Sequence, residues 1–182
     1  DGGATVTLNG GTLDSGANAT TVMTLQLNSG VVTGSGLLTA TTYNLVTGVV
    51  AGALGGGVAN VTGAVSLTGT TAATTLNISG AGVLTLGSAN RIGDATAVVV
   101  DAAQLVLAGN DTVSTFGLLN GGLLSGTGTL TAATYALQGG TVTADLGVGT
   151  ANVTLGSTTL SGLLGAAAVN IASGSLILGG AN

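Results

Sequence analysis

The sequence predicts an all-β protein that winds as a parallel β-helix, a solenoid of about ten coils of roughly 16–22 residues each. Three observations predict this fold. The chain consists of two copies of a repeat of about 92 residues, short apolar–x–apolar triplets are closely followed by glycine, and asparagines recur at steps of 16 to 18 residues. Fixed internal periods are typical of repeat architectures, and alternation with glycine punctuation favours short strands joined by tight turns.

The repeat is clearest where the two tyrosines lie. Residues 28–62 and 120–154 are identical at 19 of 35 positions, and the matches include Tyr43 and Tyr135. Residues 82–90 match residues 174–182 at six of nine positions with the same 92-residue offset. We therefore expect one continuous solenoid over residues 1–182, with a partial repeat at 1–90 and another at 91–182.

Short strands are predicted throughout the chain. Thr, Val and Gly are poor helix formers, and no apolar stripe recurs with a helical period. The strand triplets with their glycines are VTLNGG (6–11), LQLNSG (25–30), YNLVTG (43–48), VSLTG (65–69), LNISG (76–80), LVLAG (105–109), YALQGG (135–140), VNIASG (169–174) and LILGG (176–180). We expect the apolar positions to form one continuous core and the glycines to supply positive-φ corners.

The asparagines predict a ladder along the outside of the solenoid. Equivalent residues of successive coils lie about 4.8 Å apart, so stacked amides can hydrogen-bond to one another. The 43 residues between the two series leave room for two longer coils through AVVVD (97–101). The alternative is that asparagine simply favours turns. The predicted ladder consists of Asn28, Asn44, Asn60, Asn77, Asn120, Asn152 and Asn170.

Charged residues are scarce: they make up 4% of the chain, and the net charge is −5. A stacked fold explains this composition, because like charges at one position would repel along a whole column. Arg91 is the one basic residue of the sequence, so no nucleic-acid partner is expected. No apolar run reaches the roughly 18 residues that a membrane-spanning helix needs, so we expect no membrane insertion of this segment.

Catalytic chemistry has few residues available. The six acidic residues are all aspartates, and the chain has no His, Cys, Lys or Glu. A pair such as Asp101 and Asp111 could serve as glycosidase carboxylates. Aspartate also favours turns, and no aromatic or basic residues accompany these acids to bind sugar. We expect no catalytic residues and no enzyme activity.

Neither a metal nor a cofactor is expected. Glycine-rich repeats that bind calcium carry an aspartate in every copy. Residues 139–147 contain Asp145, but the equivalent residues 47–55 contain no aspartate. Five Asn-x-Ser/Thr triplets occur, and chance with the coil spacing accounts for most of them.

Two phrases resemble a known group of proteins. GTLTAATYALQGGTVTADLG (128–147) and LTLGSANRIGDATAVVV (84–100) are similar to the repeat arrays of filamentous-haemagglutinin-like and autotransporter passenger proteins of Gram-negative bacteria. The resemblance covers essentially the whole chain. It implies a right-handed β-helix, export across the outer membrane, and a place outside the cell or on its surface. Left-handed β-helices also have coils of about 18 residues, so handedness depends on the resemblance.

The function that we expect is structural: a rigid extracellular shaft, or a self-stacking surface filament of a bacterium. Solenoids need polar caps at their terminal repeats, and neither end of this sequence is polar enough to be one. The expected partner is therefore a second copy stacked end to end, or a continuation of the same chain in a longer array. A host or abiotic surface is a further expected partner.

Two alternative functions remain open at this stage. An adhesin module would bind a glycan or host surface through its side face, although few aromatic residues are present to form hot spots. An ice-binding solenoid would need a Thr-x-Thr triplet aligned in nearly every coil, and TVT occurs at residues 5–7 and 141–143.

Overall fold

A computed structural model describes residues 3–180, and their regular structure is entirely β. No helix in that range is long and apolar enough to cross a membrane. The strands are β1 (Thr5–Asp14), β2 (Thr20–Thr33), β3 (Leu37–Leu45), β4 (Gly48–Val50), β5 (Ala53–Leu54), β6 (Val58–Val61), β7 (Ala64–Leu67), β8 (Thr70–Thr71), β9 (Thr75–Ser79), β10 (Val83–Leu86), β11 (Ala97–Asp101), β12 (Gln104–Leu107), β13 (Asp111–Gly126), β14 (Thr129–Val142), β15 (Asp145–Leu146), β16 (Thr150–Val153), β17 (Ser157–Leu160), β18 (Ala168–Ile171) and β19 (Ser175–Leu178).

The strands pair in parallel, each with the segments one coil before and one coil after it. Thr42 of β3 pairs with Val58 of β6, and Val58 pairs with Thr75 of β9. These registers give the shortest coil, 16 residues from Thr42 to Val58, and the longest, 22 residues from Thr75 to Ala97. The predicted parallel β-helix of about ten coils is confirmed. Its right-handedness stays a prediction.

Each coil has three faces, named A, B and C in chain order. The coils are numbered along the chain, and each coil begins with its segment of face A. Long strands such as β13 bend through all three faces. Face A contains 5–8, 24–27, 42–45, 58–61, 75–78, 97–100, 115–118, 134–137, 150–153 and 168–171. Face B contains 12–14, 31–33, 48–50, 64–67, 83–86, 104–107, 123–126, 140–142, 157–160 and 175–178. Face C contains 20–22, 37–40, 53–54, 70–71, 111–113, 129–132 and 145–146, with bridges through Ile92 and Leu164.

The core is one apolar column that runs through the coils. On face A of coils 2 to 9, every second side chain points inward and is buried. Full burial of one such aliphatic side chain contributes about 1.5–3 kcal/mol. In coils 2 to 9, the last residue of each face A segment points inward and is aliphatic: Leu27, Leu45, Val61, Ile78, Val100, Leu118, Leu137 and Val153.

Glycine is required at two equivalent positions of the corner between faces A and B, one in each copy of the repeat. Gly48 has a φ of 129°, and a Cβ there would lie against the carbonyl oxygen of Gly30 in the coil before. Gly140, 92 residues later, has a φ of 150° and the carbonyl oxygen of Gly122 in the same place. At these two positions the backbone of the preceding coil leaves no room for a side chain.

The sequence repeat is also a structural repeat. Tyr43 and Tyr135 are the first inward-facing positions of coils 3 and 8, five coils apart. The corner contact between Asn9 and Asn28 (2.7 Å) recurs 92 residues later between Asp101 and Asn120 (2.6 Å). Coils 1 and 6 are therefore equivalent, and so are coils 3 and 8.

Candidate functional site

Asparagine side chains form a hydrogen-bonded ladder along parts of face A. Asn44, Asn60 and Asn77 occupy the same position in coils 3, 4 and 5. The Nδ2 of Asn60 donates to the Oδ1 of Asn44 at 3.2 Å, and that of Asn77 donates to Asn60 at 3.0 Å. In coils 9 and 10 the Nδ2 of Asn170 donates to Asn152 at 2.9 Å. Five of the seven predicted residues thus lie in this column, which is named the face A ladder.

The face A ladder is interrupted in the middle of the molecule. Val99, Gly117 and Ala136 fill its position in coils 6, 7 and 8. Gln26 fills it in coil 2. The side-chain hydrogen bonds therefore form two separate runs.

Asn28 and Asn120 do not lie in the ladder, contrary to the sequence-based prediction. Asn28 lies at the corner after face A, where β1 and β2 shift register, and its Nδ2 donates to the Oδ1 of Asn9. Asn120 has a φ of 51°, a left-handed conformation that asparagine tolerates better than most residues. The step of 16 from Asn28 to Asn44 is therefore not a coil length, because the coil from Gln26 to Asn44 has 18 residues.

Each tyrosine fills the corner between face C and face A with a buried phenol. The Oη of Tyr43 accepts the N–H of Ala40 at 2.8 Å and lies 3.0 Å from the carbonyl oxygen of Leu38 and 3.1 Å from that of Gly56. Its one proton can serve only one of these carbonyls at a time. Because Leu38 and Ala40 belong to coil 2 and Gly56 belongs to coil 3, the hydroxyl joins two coils. Burial raises the pKa of Tyr43 above its ordinary value, so the phenol is neutral.

Tyr135 makes the same set of contacts in the second copy. Its Oη accepts the N–H of Ala132 at 3.0 Å and lies 2.9 Å from the carbonyl oxygen of Leu130 and 3.1 Å from that of Gly147. Burial raises the pKa of Tyr135 as well. Both copies therefore satisfy the backbone groups of this corner with one uncharged side chain.

Asp111 is a carboxylate inside the apolar column of face C. It is 1% exposed, and its partner in the next coil is the buried Leu130. Its Oδ2 accepts the N–H groups of Arg91 (2.7 Å) and Ile92 (3.3 Å), and its Oδ1 accepts that of Thr112 (3.0 Å). Burial raises the pKa of Asp111, and the three amide donors only partly oppose that effect.

Arg91 lies on the turn whose N–H groups donate to Asp111. Its guanidinium binds backbone carbonyl oxygens rather than a carboxylate. Its Nε donates to the carbonyl oxygen of Ala89 at 3.0 Å, and its Nη1 donates to that of Thr68, one coil earlier, at 3.0 Å. This turn belongs to coil 5, the longest coil. Asp111 and Arg91 together close this turn. The turn and these two residues are named the junction.

Asp101 and Asp111, the pair considered from the sequence, lie on two different faces of coil 6. Asp101 lies at the end of β11 on face A, where its Oδ1 accepts the Nδ2 of Asn120, whereas Asp111 begins β13 on face C. Asp145 accepts the N–H of Leu163 at 2.8 Å. Within residues 3–180, no group of three or more acidic, His or Cys residues could hold a metal ion.

The two TVT triplets lie on different faces. Residues 5–7 are on face A of coil 1, and Thr141 is on face B of coil 8. An ice-binding face needs such triplets in one aligned rank, so this arrangement does not favour that function.

One small cavity lies in the interior of the rod, lined by apolar side chains and Thr71. This cavity of about 10 Å³ lies between coils 3 and 5, and its lining includes Leu45, Leu67 and Leu76. A water molecule needs about 10–15 Å³ and several polar partners, which this lining does not offer.

Comparisons with protein-family models, with curated proteins and with solved structures find no match to this chain. The β-solenoid fold is compatible with a structural or an adhesin role.

Proposed function

We propose that this chain is a structural rod: a rigid shaft, or the subunit of a surface filament, that works outside a bacterial cell and performs no catalysis. The observation that carries the proposal is the continuous core, in which each coil covers the apolar side chains of the next. The resemblance of residues 84–100 and 128–147 to exported bacterial surface proteins supports the location.

Stiffness would follow from the way that the coils are joined. Ten coils stacked at about 4.8 Å give a rod about 48 Å long. Every coil contributes backbone hydrogen bonds on its faces and apolar contacts in the core. Bending the rod would have to open one edge of this stack, and the ladder bonds on face A and the tyrosine bonds would oppose that opening.

Resistance to proteolysis would suit an extracellular rod. Trypsin cleaves after Lys or Arg, and Arg91 is the one such residue in the sequence. Its side chain is half-buried, and its guanidinium is bound to the carbonyl oxygens of Ala89 and Thr68. We expect the folded chain to remain uncut by trypsin under conditions that degrade a typical globular domain.

Small-angle X-ray scattering of the monomeric protein tests the proposal. We expect the profile of a rod with a constant cross-section and a length of about 48 Å, together with a β-rich circular dichroism spectrum. A compact, nearly spherical particle would contradict the proposal. Hydrolysis of a polysaccharide by the purified chain, abolished in Asp101→Asn, would show instead that the chain is an enzyme.

A further inference from the structure

Face A presents two outward columns of short side chains along the flank of the rod. The first and third residues of each face A segment point outward, because the second and fourth point toward the core. In chain order, the first residues are Thr5, Thr24, Thr42, Val58, Thr75, Ala97, Thr115, Thr134, Thr150 and Ala168. The third residues are Thr7, Gln26, Asn44, Asn60, Asn77, Val99, Gly117, Ala136, Asn152 and Asn170. These two columns are named the face A array.

The array is most regular in coils 1 to 5. Its side chains repeat about every 4.8 Å along the rod, and the two columns are about 6.6 Å apart along each strand. The register shifts of β1 and β13 begin after Leu8 and Leu119, beyond the face A segments. In these coils the first column is threonine except at Val58, whose side chain has nearly the same shape. The third residue is always Thr, Gln or Asn.

The array holds its hydrogen-bonding groups in fixed positions and leaves them open to solvent. Within residues 3–180, the threonine hydroxyls of the first column make no hydrogen bond to the protein. Asn60 uses one N–H and one lone pair in the face A ladder and keeps another of each for solvent. Threonine is β-branched and stiff at χ1, and the ladder bonds fix the amides. The result is a preordered grid of hydroxyls, amides and methyl groups.

The chemistry of the array favours a neutral partner that repeats at the same intervals. No residue of the array is charged, so a charged surface finds no complement there. The three aromatic residues of the chain, Tyr43, Phe116 and Tyr135, are buried, so no ring on face A can stack on a sugar or form a protein hot spot. Hexagonal ice is neutral, and its water molecules repeat along two perpendicular directions at intervals close to those of the array.

We propose that face A binds ice through this array. The hydroxyls and amides hold a layer of water in positions close to those of the ice lattice, and this layer joins the crystal. Residues 5–7 belong to the array, whereas Thr141 lies on face B. The aligned pattern is therefore mainly Thr-x-Asn rather than the TVT considered from the sequence. This inference goes beyond the proposed rod, which contributes the stiffness that keeps the grid in register.

A bound rod would stop the growth of an ice crystal where it lies. Ice between bound molecules can then advance only as a curved front, and a curved front melts at a lower temperature than a flat one. The freezing point of the solution therefore falls below its melting point. This gap, the thermal hysteresis, is the readout, together with the enrichment of the protein in a slowly growing ice hemisphere.

A pair of matched substitutions tests whether face A is the surface that binds. Thr42→Tyr places a bulky ring in the middle of the array, between Thr24 and Val58. Thr85→Tyr makes the same change at an exposed site on face B. We expect wild type and Thr85→Tyr to show hysteresis and to enter the ice, and Thr42→Tyr to lose both properties. Circular dichroism spectra and urea midpoints equal to wild type establish that the variants fold.

Extending the array should strengthen the effect. The double variant Ala97→Thr, Val99→Asn continues the regular part of the array from coil 5 into coil 6, in register with Thr75 and Asn77. A larger matched area holds more water in lattice positions, so we expect a larger hysteresis than wild type at equal concentration. A hysteresis no larger than that of wild type would contradict the role of the array.

Other outcomes would overturn the inference outright. Wild type that shows no hysteresis and stays out of the ice does not bind it. Full activity in Thr42→Tyr, or an equal loss in Thr85→Tyr, would place the binding surface elsewhere. Binding to crystalline cellulose or chitin without any effect on ice would assign face A to a polysaccharide instead. In each case a rod-shaped scattering profile would leave the proposed function standing, and a profile without rod shape would reject that function whatever the result with ice.

Discussion

The tyrosine corners and the junction solve the same problem in different ways. At both places the chain turns between faces, and backbone N–H and C=O groups lose their partners in the adjacent coil. Tyr43 and Tyr135 satisfy these groups with a buried hydroxyl, in the same way in each copy. The junction occurs once within the described residues and uses the buried carboxylate of Asp111.

The difference teaches where charge is tolerated in a stacked fold. A phenol can be repeated in the stack because it carries no charge at neutral pH. A carboxylate in the same column would repel its copies about 4.8 Å above and below. Asp111 avoids this repulsion because its neighbours in the column, Ile92 and Leu130, are uncharged. In addition, the backbone N–H groups of Arg91 and Ile92 in coil 5 donate to its carboxylate.

Truncating a tyrosine should give the largest effect. We expect Tyr135→Ala to lower the free energy of unfolding by about 3–5 kcal/mol, since it removes a fully buried ring and opens a cavity. Tyr43→Ala should cost a similar amount, because the two corners share their contacts. Urea denaturation followed by circular dichroism measures both values.

The matched control for the tyrosines is Tyr→Phe at each position. This change keeps the ring and removes the hydroxyl. We therefore expect the free energy of unfolding to fall by about 1–3 kcal/mol, less than in the Ala variants. The two corners are five coils, or about 24 Å, apart, so the double variant should lose the sum of the single losses. A marked difference between the two corners would contradict their equivalence.

Replacing Asp111 should destabilise the junction by a smaller amount. Asp111→Asn puts an N–H₂ group where an acceptor faces the N–H groups of Arg91 and Ile92. We expect a loss of about 1–3 kcal/mol at neutral pH, the cost of leaving buried donors without a partner. Asp14→Asn is the control, because Asp14 is exposed and accepts only the N–H of Gly16. Equal losses in both variants would contradict the special role of the buried carboxylate.

Acid should act on this protein in an unusual direction through Asp111. Burial raises the pKa of Asp111 above its ordinary value of 3.8, so the folded protein keeps this proton at a pH where the unfolded chain has released it. The stabilising contribution of the protonated form is complete below the unfolded pKa and is lost as the pH rises through the folded pKa. We expect the free energy of unfolding to fall over that interval, measured by urea titrations at stepped pH.

The Asp111→Asn variant serves as the control for the pH experiment. Residue 111 no longer titrates there, so the fall in stability above pH 3.8 should disappear. If the wild-type stability instead rises through the same interval, the amide donors outweigh burial, and the carboxylate is favoured in the folded state.

Local patterns were sufficient to predict the coils but not the junction. The 92-residue repeat and the apolar–x–apolar triplets followed by glycine reflect stacking that every coil must satisfy, so they are visible in the sequence. Asn28 and Asn120 were misplaced because corner asparagines and ladder asparagines follow similar spacings. The partners of Asp111 could not be predicted, since it meets Arg91 and Ile92 only after a 22-residue coil has closed.

The face A ladder is repeated only in part, so it was less predictable from the sequence than the coils and more predictable than the junction. Substitutions in the ladder should have the smallest effects on the free energy of unfolding. Asn60→Ala removes one bond to Asn44 and one from Asn77 on a half-exposed face. We expect a loss of about 0.5–1.5 kcal/mol. The converse change is Ala136→Asn. Ala136 is equivalent to Asn44 and pairs with Asn152 of the next coil, so the new amide should stabilise the second copy by a similar amount.

The paired changes separate the ladder bonds from strand propensity. Asparagine is disfavoured in strands, so without rung-to-rung bonds Ala136→Asn would be neutral or destabilising. A gain in stability on urea denaturation that vanishes in the Ala136→Asn, Asn152→Ala double variant would therefore measure one rung directly. If Ala136→Asn destabilises the chain, the asparagines of face A were selected for something other than stability, and their exposed amides would become the first place to look for a bound partner.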